Sequence, residues 1–181
     1  MILVVGATGQ LGSRVVQELG RQGRPVRAMI RPPDLGRDLV EAGAELVEAD
    51  LLRPETLDDA LRGVTAVIAT ANAVAPTHRG DSHNALARGY AELIERARAA
   101  GVQRFVYASV PEAPLDGAVP MVRAKRKVEE LLAASGLSYV SLRCPRSWRS
   151  GWPWSAARSR SAVSRGPWCG GPTGSSSGSA G

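Results

Sequence analysis

Cysteine is scarce in this sequence, and its two copies stand late in the chain, at Cys144 and Cys169. Residues 1–143 therefore hold neither a disulfide framework nor a cysteine-based metal site. No apolar run approaches the length of a membrane span, and the opening MILVVG lacks the basic region and cleavage site of a secretory signal. These absences argue against a disulfide-stapled secreted module and against a membrane protein, and we expect a cytoplasmic protein.

Acidic residues are missing from residues 143–181, which carry six of the 23 Lys and Arg residues. Residues 1–142 hold the other 17 basic residues and all 17 acidic ones, so their formal charge is zero. The net charge of +6 thus belongs to the end of the chain. Because the earlier part shows no excess of positive charge, we expect neither nucleic acid nor a membrane surface as its partner.

Apolar segments of two kinds alternate through the first 143 residues. Short apolar runs predict buried strands, and segments with apolar residues three or four apart predict helices between them. The predicted strands are 2–5, 25–30, 45–48, 66–70, 104–108 and 139–142, and the predicted helices are 10–20, 54–61, 81–100 and 120–134. This alternation is typical of a parallel sheet covered on both faces, so we predict an α/β protein with a doubly wound Rossmann fold in a single domain.

The pattern stops after Leu142. Residues 146–181 are dominated by Ser, Gly, Arg and Pro, contain all four Trp residues and follow neither period. We therefore predict a nucleotide-binding domain over residues 1–145 and a poorly ordered tail over residues 146–181, with the substrate segment missing or disordered. Two interpretations of the tail stay open: the product of a frameshift in a GC-rich gene, or a natural disordered basic tail.

A glycine-rich turn, GATGQLG at residues 6–12, joins the first predicted strand to the first predicted helix. Gly6 permits the tight turn, Gly9 lets the backbone approach a pyrophosphate, and Gly12 lets the helix pack close to the strand. The amides at the start of the helix, together with the positive end of its dipole, stabilise phosphate. The turn therefore predicts a dinucleotide site.

Two later residues bear on which dinucleotide binds. A site that prefers NAD usually has a carboxylate at the end of the second strand, whereas this sequence has Arg31, whose guanidinium can pair with a 2′-phosphate. We expect NADP(H) to be preferred, with NAD(H) as the alternative. Asp50 follows the third strand and can accept a hydrogen bond from the adenine amine, or it can serve only as a helix cap or loop acid.

Together these motifs resemble the NmrA-like branch of the atypical short-chain dehydrogenases/reductases. The matching segments are GATGQLG at 6–12, Arg31, AELVEADL at 44–51, AVIATAN at 66–72, GVQRFVYAS at 101–109 and RAKRKVEELLAASGLSYVSLR at 123–143. The resemblance implies that NAD(P) lies across the carboxyl ends of the strands.

The same resemblance assigns residues to the two ends of the dinucleotide. For the adenosine and pyrophosphate it implies Gly6, Thr8, Gly9, Gln10, Leu11, Gly12, Arg31, Asp50 and Leu51. For the nicotinamide it implies Ala69, Thr70, Ala71, Ser109 and Lys125. Lys125 then holds the nicotinamide ribose, or it is only a solvated member of the basic run at 123–127.

The hydride chemistry of the wider superfamily uses a Ser, a Tyr and a Lys, with the Tyr and the Lys four residues apart on one helix. Ser109 and Lys125 are present here and are the candidate catalytic residues, although Ser109 can equally be a plain polar strand end, and Met121 stands where the Tyr is expected. Two functions therefore stay open. One is an NADPH-dependent oxidoreductase acting on a quinone-like or small carbonyl acceptor, which can take its proton from water. The other is a non-catalytic NADP-binding redox sensor or assembly factor.

His78 and His83 flank Asp81 in the segment after the fourth strand. In a doubly wound sheet this segment borders the ligand crevice, where a histidine can donate a proton near neutral pH. The alternative is a polar surface loop, and we predict no metal site. We expect a small-molecule substrate and a monomer or homodimer.

Overall fold

A computed structural model describes residues 1–32, 36–72, 82–111 and 119–143, together with the backbone of one strand at 163–165. The strands are β1 Ile2–Val5, β2 Val26–Ile30, β3 Glu45–Glu48, β4 Ala66–Ala69, β5 Arg104–Ser109, β6 Tyr139–Arg143 and β7 Val163–Arg165. The helices are α1 Gln10–Arg21, α2 Arg37–Glu41, α3 Leu57–Leu61, α4 His83–Ala99 and α5 Pro120–Ala134, with a 3-10 turn at Pro54–Thr56.

All the strands belong to one sheet, in the order β3-β2-β1-β4-β5-β6-β7. Strands β1 to β6 pair in parallel, and β7 pairs with β6 in the antiparallel sense. The strand order reverses between β1 and β4, which is where doubly wound sheets bind ligands. The predicted doubly wound parallel sheet is confirmed.

The sheet is buried on both faces, and β1 shows why its strands are continuously apolar. Its residues Leu3 and Val5 belong to one core cluster and Val4 belongs to the other, and all three are fully buried. Helices α3, α4 and α5 cover the first face, and α1 and α2 cover the second. Within the described ranges, no helix is both long and apolar enough to cross a bilayer.

Two elements were not predicted from the sequence. Helix α2 has five residues, follows Gly36 in the left-handed region, and buries only Leu39, so it carries too little apolar periodicity to be recognised. Strand β7 pairs Val163 with Leu142 through its backbone and has one apolar residue. The remaining positions of the predicted tail lie outside the described residues.

Candidate functional site

The glycine-rich turn is packed so closely that two of its residues cannot carry a side chain. Gly6 follows β1 with a φ of +79°, and a Cβ there would lie 2.6 Å from the backbone nitrogen of Ala71. A Cβ on Gly12 would lie 2.0 Å from the carbonyl oxygen of Gly6. These contacts hold the turn against the segment after β4 and hold α1 against the turn, as the motif predicts.

Gly9 and the start of α1 form a cradle that fits a pyrophosphate. A Cβ on Gly9 would have the Gly6 carbonyl oxygen, at 3.2 Å, as its one described neighbour within 4 Å, so the space beside Gly9 is open. Gly9 caps α1 without a side chain, and the first turn of the helix has no acidic residue. Its N–H groups have no acceptor within the helix and stand at the positive end of the dipole. The amides of Gln10 and Leu11 can therefore bind phosphate oxygens.

An open cleft, called here the first cleft, runs along the carboxyl ends of β1, β2 and β3 and reaches the segment after β4. Six of the residues assigned to the dinucleotide line it: Gly6, Thr8, Arg31, Asp50, Leu51 and Ala71. Its remaining walls are mostly apolar, and Asn72 and Ser82 add polar groups. The structure thus brings together residues from four separate loops, as the Rossmann interpretation expects.

Four of the five residues expected on the nicotinamide side do not line this cleft: Ala69, Thr70, Ser109 and Lys125. Ala69 is fully buried in the core. Thr70 donates its hydroxyl to the Val5 carbonyl oxygen at 2.9 Å, and its backbone N–H donates to the same oxygen at 2.8 Å. Thr70 therefore joins the end of β4 to the end of β1, so any contribution to binding comes from the backbone geometry it fixes.

Asp50 holds its own turn while it faces the first cleft. One of its carboxylate oxygens accepts from the Leu52 N–H at 2.9 Å, and its backbone N–H donates to the Thr56 hydroxyl at 2.9 Å. Asp50 therefore acts as a loop acid that stabilises its own turn. A contact with adenine through the other carboxylate oxygen stays a prediction.

A second cleft adjoins the first and shares Asn72 and Leu86 with it. Its other lining residues come from α4, β5 and α5: His83, Ala87, Tyr90, Tyr107, Met121, Ala124, Lys125 and Val128. Met121 and Lys125 lie one helical turn apart, so the thioether occupies the place beside the lysine that a phenol would take.

Lys125 is buried at this cleft, with 6% of its surface exposed. Its Nζ donates to the Ala108 carbonyl oxygen at 2.7 Å and lies 4.9 Å from the centre of the Tyr107 ring. A hydrogen bond and a cation–π contact offset the cost of burying the ammonium group. The interpretation of Lys125 as a solvated member of a basic run is wrong, because helix α5 turns this position toward the sheet.

Tyr90 and Tyr107 form part of the wall of the second cleft. Tyr90 donates its hydroxyl to the Ala71 carbonyl oxygen at 3.0 Å, and its ring meets that of Tyr107 edge to face with centroids 5.2 Å apart. Burial raises the pKa of both phenols above the ordinary value. Neither phenol is suited to exchange a proton with substrate near neutral pH.

Sequence reasoning missed Glu129, a carboxylate on α5 that binds side chains of α5 and β6. Its carboxylate accepts from the Ser141 hydroxyl at 2.6 Å, from Arg143 at 3.1 and 3.0 Å and from Arg126 at 3.0 Å. Burial alone would raise the pKa of Glu129, but these hydrogen bonds, Arg143 foremost, lower it to about 2. We call Glu129, Ser141, Arg143 and Arg126 the Glu129 network. A carboxylate one turn after Lys125 on the same helix face was the available signal.

The Glu129 network fixes α5 on the carboxyl ends of two strands. Arg126 also donates to the carbonyl oxygens of Val110 and Pro111, at 3.1 and 3.0 Å, just beyond β5. Ser109 ends β5 as a buried residue and is not part of either cleft lining. Its hydroxyl lies near the Glu129 carboxylate and helps lower that pKa, although it makes no hydrogen bond of good geometry within the described structure.

The segment with the histidines is described in part. His83 begins α4 and lines the second cleft, whereas His78 and Asp81 lie outside the described residues. Among the residues that the structure describes, no three His, Cys, Asp or Glu side chains cluster as metal ligands.

Known proteins match this chain in sequence and in structure. A family model described as NAD(P)H-binding matches residues 6–148. The photosystem II assembly factor Ycf39 of Cyanophora paradoxa is 36% identical over 139 residues, which cover 77% of this chain and 43% of that protein. The chain therefore spans less than half the length of this relative.

Two solved structures share the fold. NADPH-dependent quinone oxidoreductase QOR2 of Escherichia coli, complexed with NADPH, is 29% identical with a TM-score of 0.62, and the match covers 79% of this chain and 48% of that one. A short-chain dehydrogenase/reductase superfamily protein of Agrobacterium tumefaciens with bound NAD is 31% identical with a TM-score of 0.63, and the coverage is again 79% and 48%.

Proposed function

Because the chain belongs to the NAD(P)H-binding family, in the NmrA-like group of atypical short-chain dehydrogenases/reductases, we propose that it is an NADPH-dependent oxidoreductase for a quinone-like or small carbonyl acceptor. The observation that carries the proposal is the continuity of the two clefts, which share Asn72 and Leu86. One cleft is bordered by Gly6 and Thr8 of the glycine-rich turn, next to the phosphate cradle at Gly9, and the other has a buried lysine among apolar and aromatic walls. When bound, NADPH supplies the hydride.

The first cleft binds and orients the dinucleotide. The α1 amides after Gly9 hold the pyrophosphate, and Asp50 and Leu51 border the adenosine. Thr8 and Ala71 also line this cleft, and we assign Thr8 to the pyrophosphate and Ala71 to the nicotinamide side of the cofactor. Fixing both ends of the cofactor converts hydride transfer into a step between two positioned groups, which is the main contribution the protein makes.

Arg31 supports NADPH over NADH. It lines the first cleft at the end of β2, where a carboxylate that would bind a 2′-hydroxyl is absent from the sequence. A charge-assisted contact with a 2′-phosphate is expected to strengthen binding by about tenfold or more. Titrations of the full chain with NADPH and NADH, followed by fluorescence, test this choice.

Arg31→Ala is then expected to weaken NADPH and leave NADH nearly unchanged. Arg24→Ala provides a matched control, because Arg24 is exposed and precedes β2 at the opposite end of that strand. Equal affinities for the two dinucleotides, unaffected by Arg31→Ala, would contradict the preference.

Lys125, which lines the second cleft, is proposed to hold the nicotinamide ribose. Its ammonium group is already aimed by the Ala108 carbonyl and the Tyr107 ring, so little freedom is lost when it binds a ribose hydroxyl. The apolar wall formed by Met121 and Val128 excludes water from the acceptor. Ser109 terminates β5 as a buried residue and stays a candidate for catalysis and cofactor binding.

Turnover is tested by incubating the purified full chain with NADPH and a panel of quinones and aldehydes while following the cofactor absorbance. Lys125→Met, which keeps the apolar stem, is expected to abolish turnover. Lys127→Ala is the control on the same helix, because Lys127 is 62% exposed and pairs with Glu130 at 3.2 Å. Turnover that survives Lys125→Met would remove the lysine from the mechanism.

A non-catalytic NADP-binding sensor or assembly factor is the second candidate function. Met121 beside Lys125 favours it, since the site lacks the phenol of the usual pair. Similarity to an assembly factor points the same way. Stoichiometric NADPH binding without oxidation by any acceptor in the panel would decide for this function.

A further inference from the structure

We propose that His83 donates the proton to the acceptor reduced in the second cleft, in place of the phenol that Met121 replaces. This inference rests on the proposed oxidoreductase function and adds a residue to its machinery. His83 is the first residue of α4, lines the second cleft together with Met121 and Lys125, and is half-buried. Reducing a carbonyl or a quinone requires a proton at oxygen as well as a hydride.

The tyrosines of the cleft cannot serve this purpose. Tyr90 is fully buried and already donates its proton to the Ala71 carbonyl oxygen at 3.0 Å. Tyr107 is 1% exposed, and its ring lies under the Lys125 ammonium. Burial raises the pKa of both phenols, so each holds its proton more tightly than free tyrosine does.

The other polar groups of the described lining are also unsuited to donate a proton to the acceptor. Lys125 directs its Nζ to the Ala108 carbonyl oxygen at 2.7 Å. The Asn72 amide does not titrate, and the Met121 thioether has no exchangeable proton. Among the described residues of this cleft, His83 is therefore the one remaining side chain of a type that serves as a general acid.

The start of α4 places His83 between the two clefts. The hydroxyl of Ser82 accepts from the Ala85 N–H at 3.0 Å and thereby caps the helix. Ser82 lines the first cleft, and His83 lines the second. The cap thus fixes the histidine backbone at the point where the cofactor end of the site meets the acceptor end.

The acceptor gains a hydride from bound NADPH, which is oxidised to NADP⁺, and an electron pair develops on the acceptor oxygen. An N–H bond of the His83 imidazolium breaks as its proton forms an O–H bond with that oxygen. The neutral imidazole then regains a proton from solvent, so acceptor, NADPH and one proton give reduced acceptor and NADP⁺.

Two acceptors separate proton donation from every other contribution of His83. Reduction of a naphthoquinone needs a hydride and a proton, whereas a triarylmethyl cation dye needs a hydride alone. In the full chain with NADPH, His83→Asn is expected to lower kcat for the naphthoquinone about 100-fold and to leave dye reduction unchanged. Asn84→Ala, at the next and exposed position of α4, is expected to change neither rate.

Two results would overturn the donor role. One is naphthoquinone reduction at the wild-type rate in His83→Asn, and the other is an equal loss with both acceptors, which indicates misplacement of the hydride rather than loss of a proton. If the wild type reduces neither acceptor, the oxidoreductase proposal itself fails.

Proton NMR gives a readout that does not depend on turnover. The chain has two histidines, so His83→Asn assigns both imidazole signals. Saturating 2-naphthol, which presents an aromatic hydroxyl and cannot be reduced by NADPH, is expected to shift the His83 signal in the NADP⁺-bound protein. A His83 signal unmoved at saturation places the imidazole away from the acceptor oxygen and overturns the proposal.

Discussion

Glu129 on α5 and Arg143 at the end of β6 form a two-pronged ion pair, with hydrogen bonds of 3.1 and 3.0 Å between the carboxylate and the guanidinium. Both side chains are largely buried, at 11% and 18% exposed. The pair lies one helical turn beyond Lys125 and therefore sets how α5 meets the sheet. Its hydrogen bonds are strong because both partners are charged and the geometry is bidentate.

Acid should remove the stabilisation that this pair provides. The pKa of Glu129 is lowered in the folded protein to about 2, below the ordinary 4.5 of the unfolded chain. The stabilisation is complete above about pH 4.5 and is lost as the pH falls through about 2. The reason is that the Glu129 carboxylate of the unfolded chain binds a proton more tightly than the same carboxylate in the folded protein. Each pKa unit corresponds to about 1.4 kcal/mol, so roughly 3 kcal/mol of unfolding free energy depends on this one group.

Urea denaturation at a series of pH values between about 7 and 2 measures this effect. Glu129→Gln should flatten the acid limb of the curve relative to the wild type. Parallel limbs in the two proteins would show that other carboxylates account for the acid sensitivity.

Glu129→Gln should also loosen the site at neutral pH. It leaves Arg143 and Arg126 without their shared carboxylate, and breaking a largely buried ion pair costs on the order of 3 kcal/mol. Ser141→Ala removes one hydrogen bond to the same carboxylate and should cost only about 1–2 kcal/mol. Thermal unfolding of both variants checks the ranking, and a milder effect from Glu129→Gln would count against it.

Gly12→Ala and Gly9→Ala should separate folding from cofactor binding. A methyl group at Gly12 meets the Gly6 carbonyl oxygen at 2.0 Å, so α1 must shift, at a cost of roughly 3 kcal/mol despite the better helix propensity of alanine. A methyl group at Gly9 meets the same oxygen at 3.2 Å and otherwise stands in the open cradle. Gly9→Ala should stay folded while its NADPH affinity drops, as calorimetry and fluorescence titration can show together. Loss of affinity without loss of stability in Gly12→Ala would contradict this division of roles.

Tyr90→Phe should destabilise the protein by about 1–2 kcal/mol. The variant removes the hydroxyl that donates to the Ala71 carbonyl, leaving that partly buried acceptor unsatisfied beside the glycine turn. Tyr139→Phe is a matched control, because its hydroxyl makes no hydrogen bond within the described structure and its side chain is only half-buried. Guanidinium chloride midpoints compare the two, and equal midpoints would mean that the Tyr90 hydroxyl contributes nothing.

Local patterns were sufficient for the fold. The predicted strands and long helices match the structure to within a few residues, because periods of apolar residues and glycine positions report directly on burial. Helix α2 and strand β7 were missed because neither shows a period of apolar residues. Helix α2 has only five residues, and β7 is held by backbone pairing with β6. The same local patterns predicted part of the cofactor site. The first cleft is lined by six of the residues assigned to the dinucleotide: Gly6, Thr8, Arg31, Asp50, Leu51 and Ala71.

The sequence by itself determined the order of the strands along the chain, the glycine turn and hence the dinucleotide cradle, because each depends on neighbours within about ten residues. Only the tertiary structure decided that Lys125 is buried against Tyr107, that Glu129 binds Arg143, and that Met121 shares a cleft with His83. The residues within each of these pairs lie between 14 and 38 positions apart. They meet because the crossover helices of a doubly wound sheet begin at the carboxyl ends of the strands and pack back along the sheet, a relationship that local periodicity does not record.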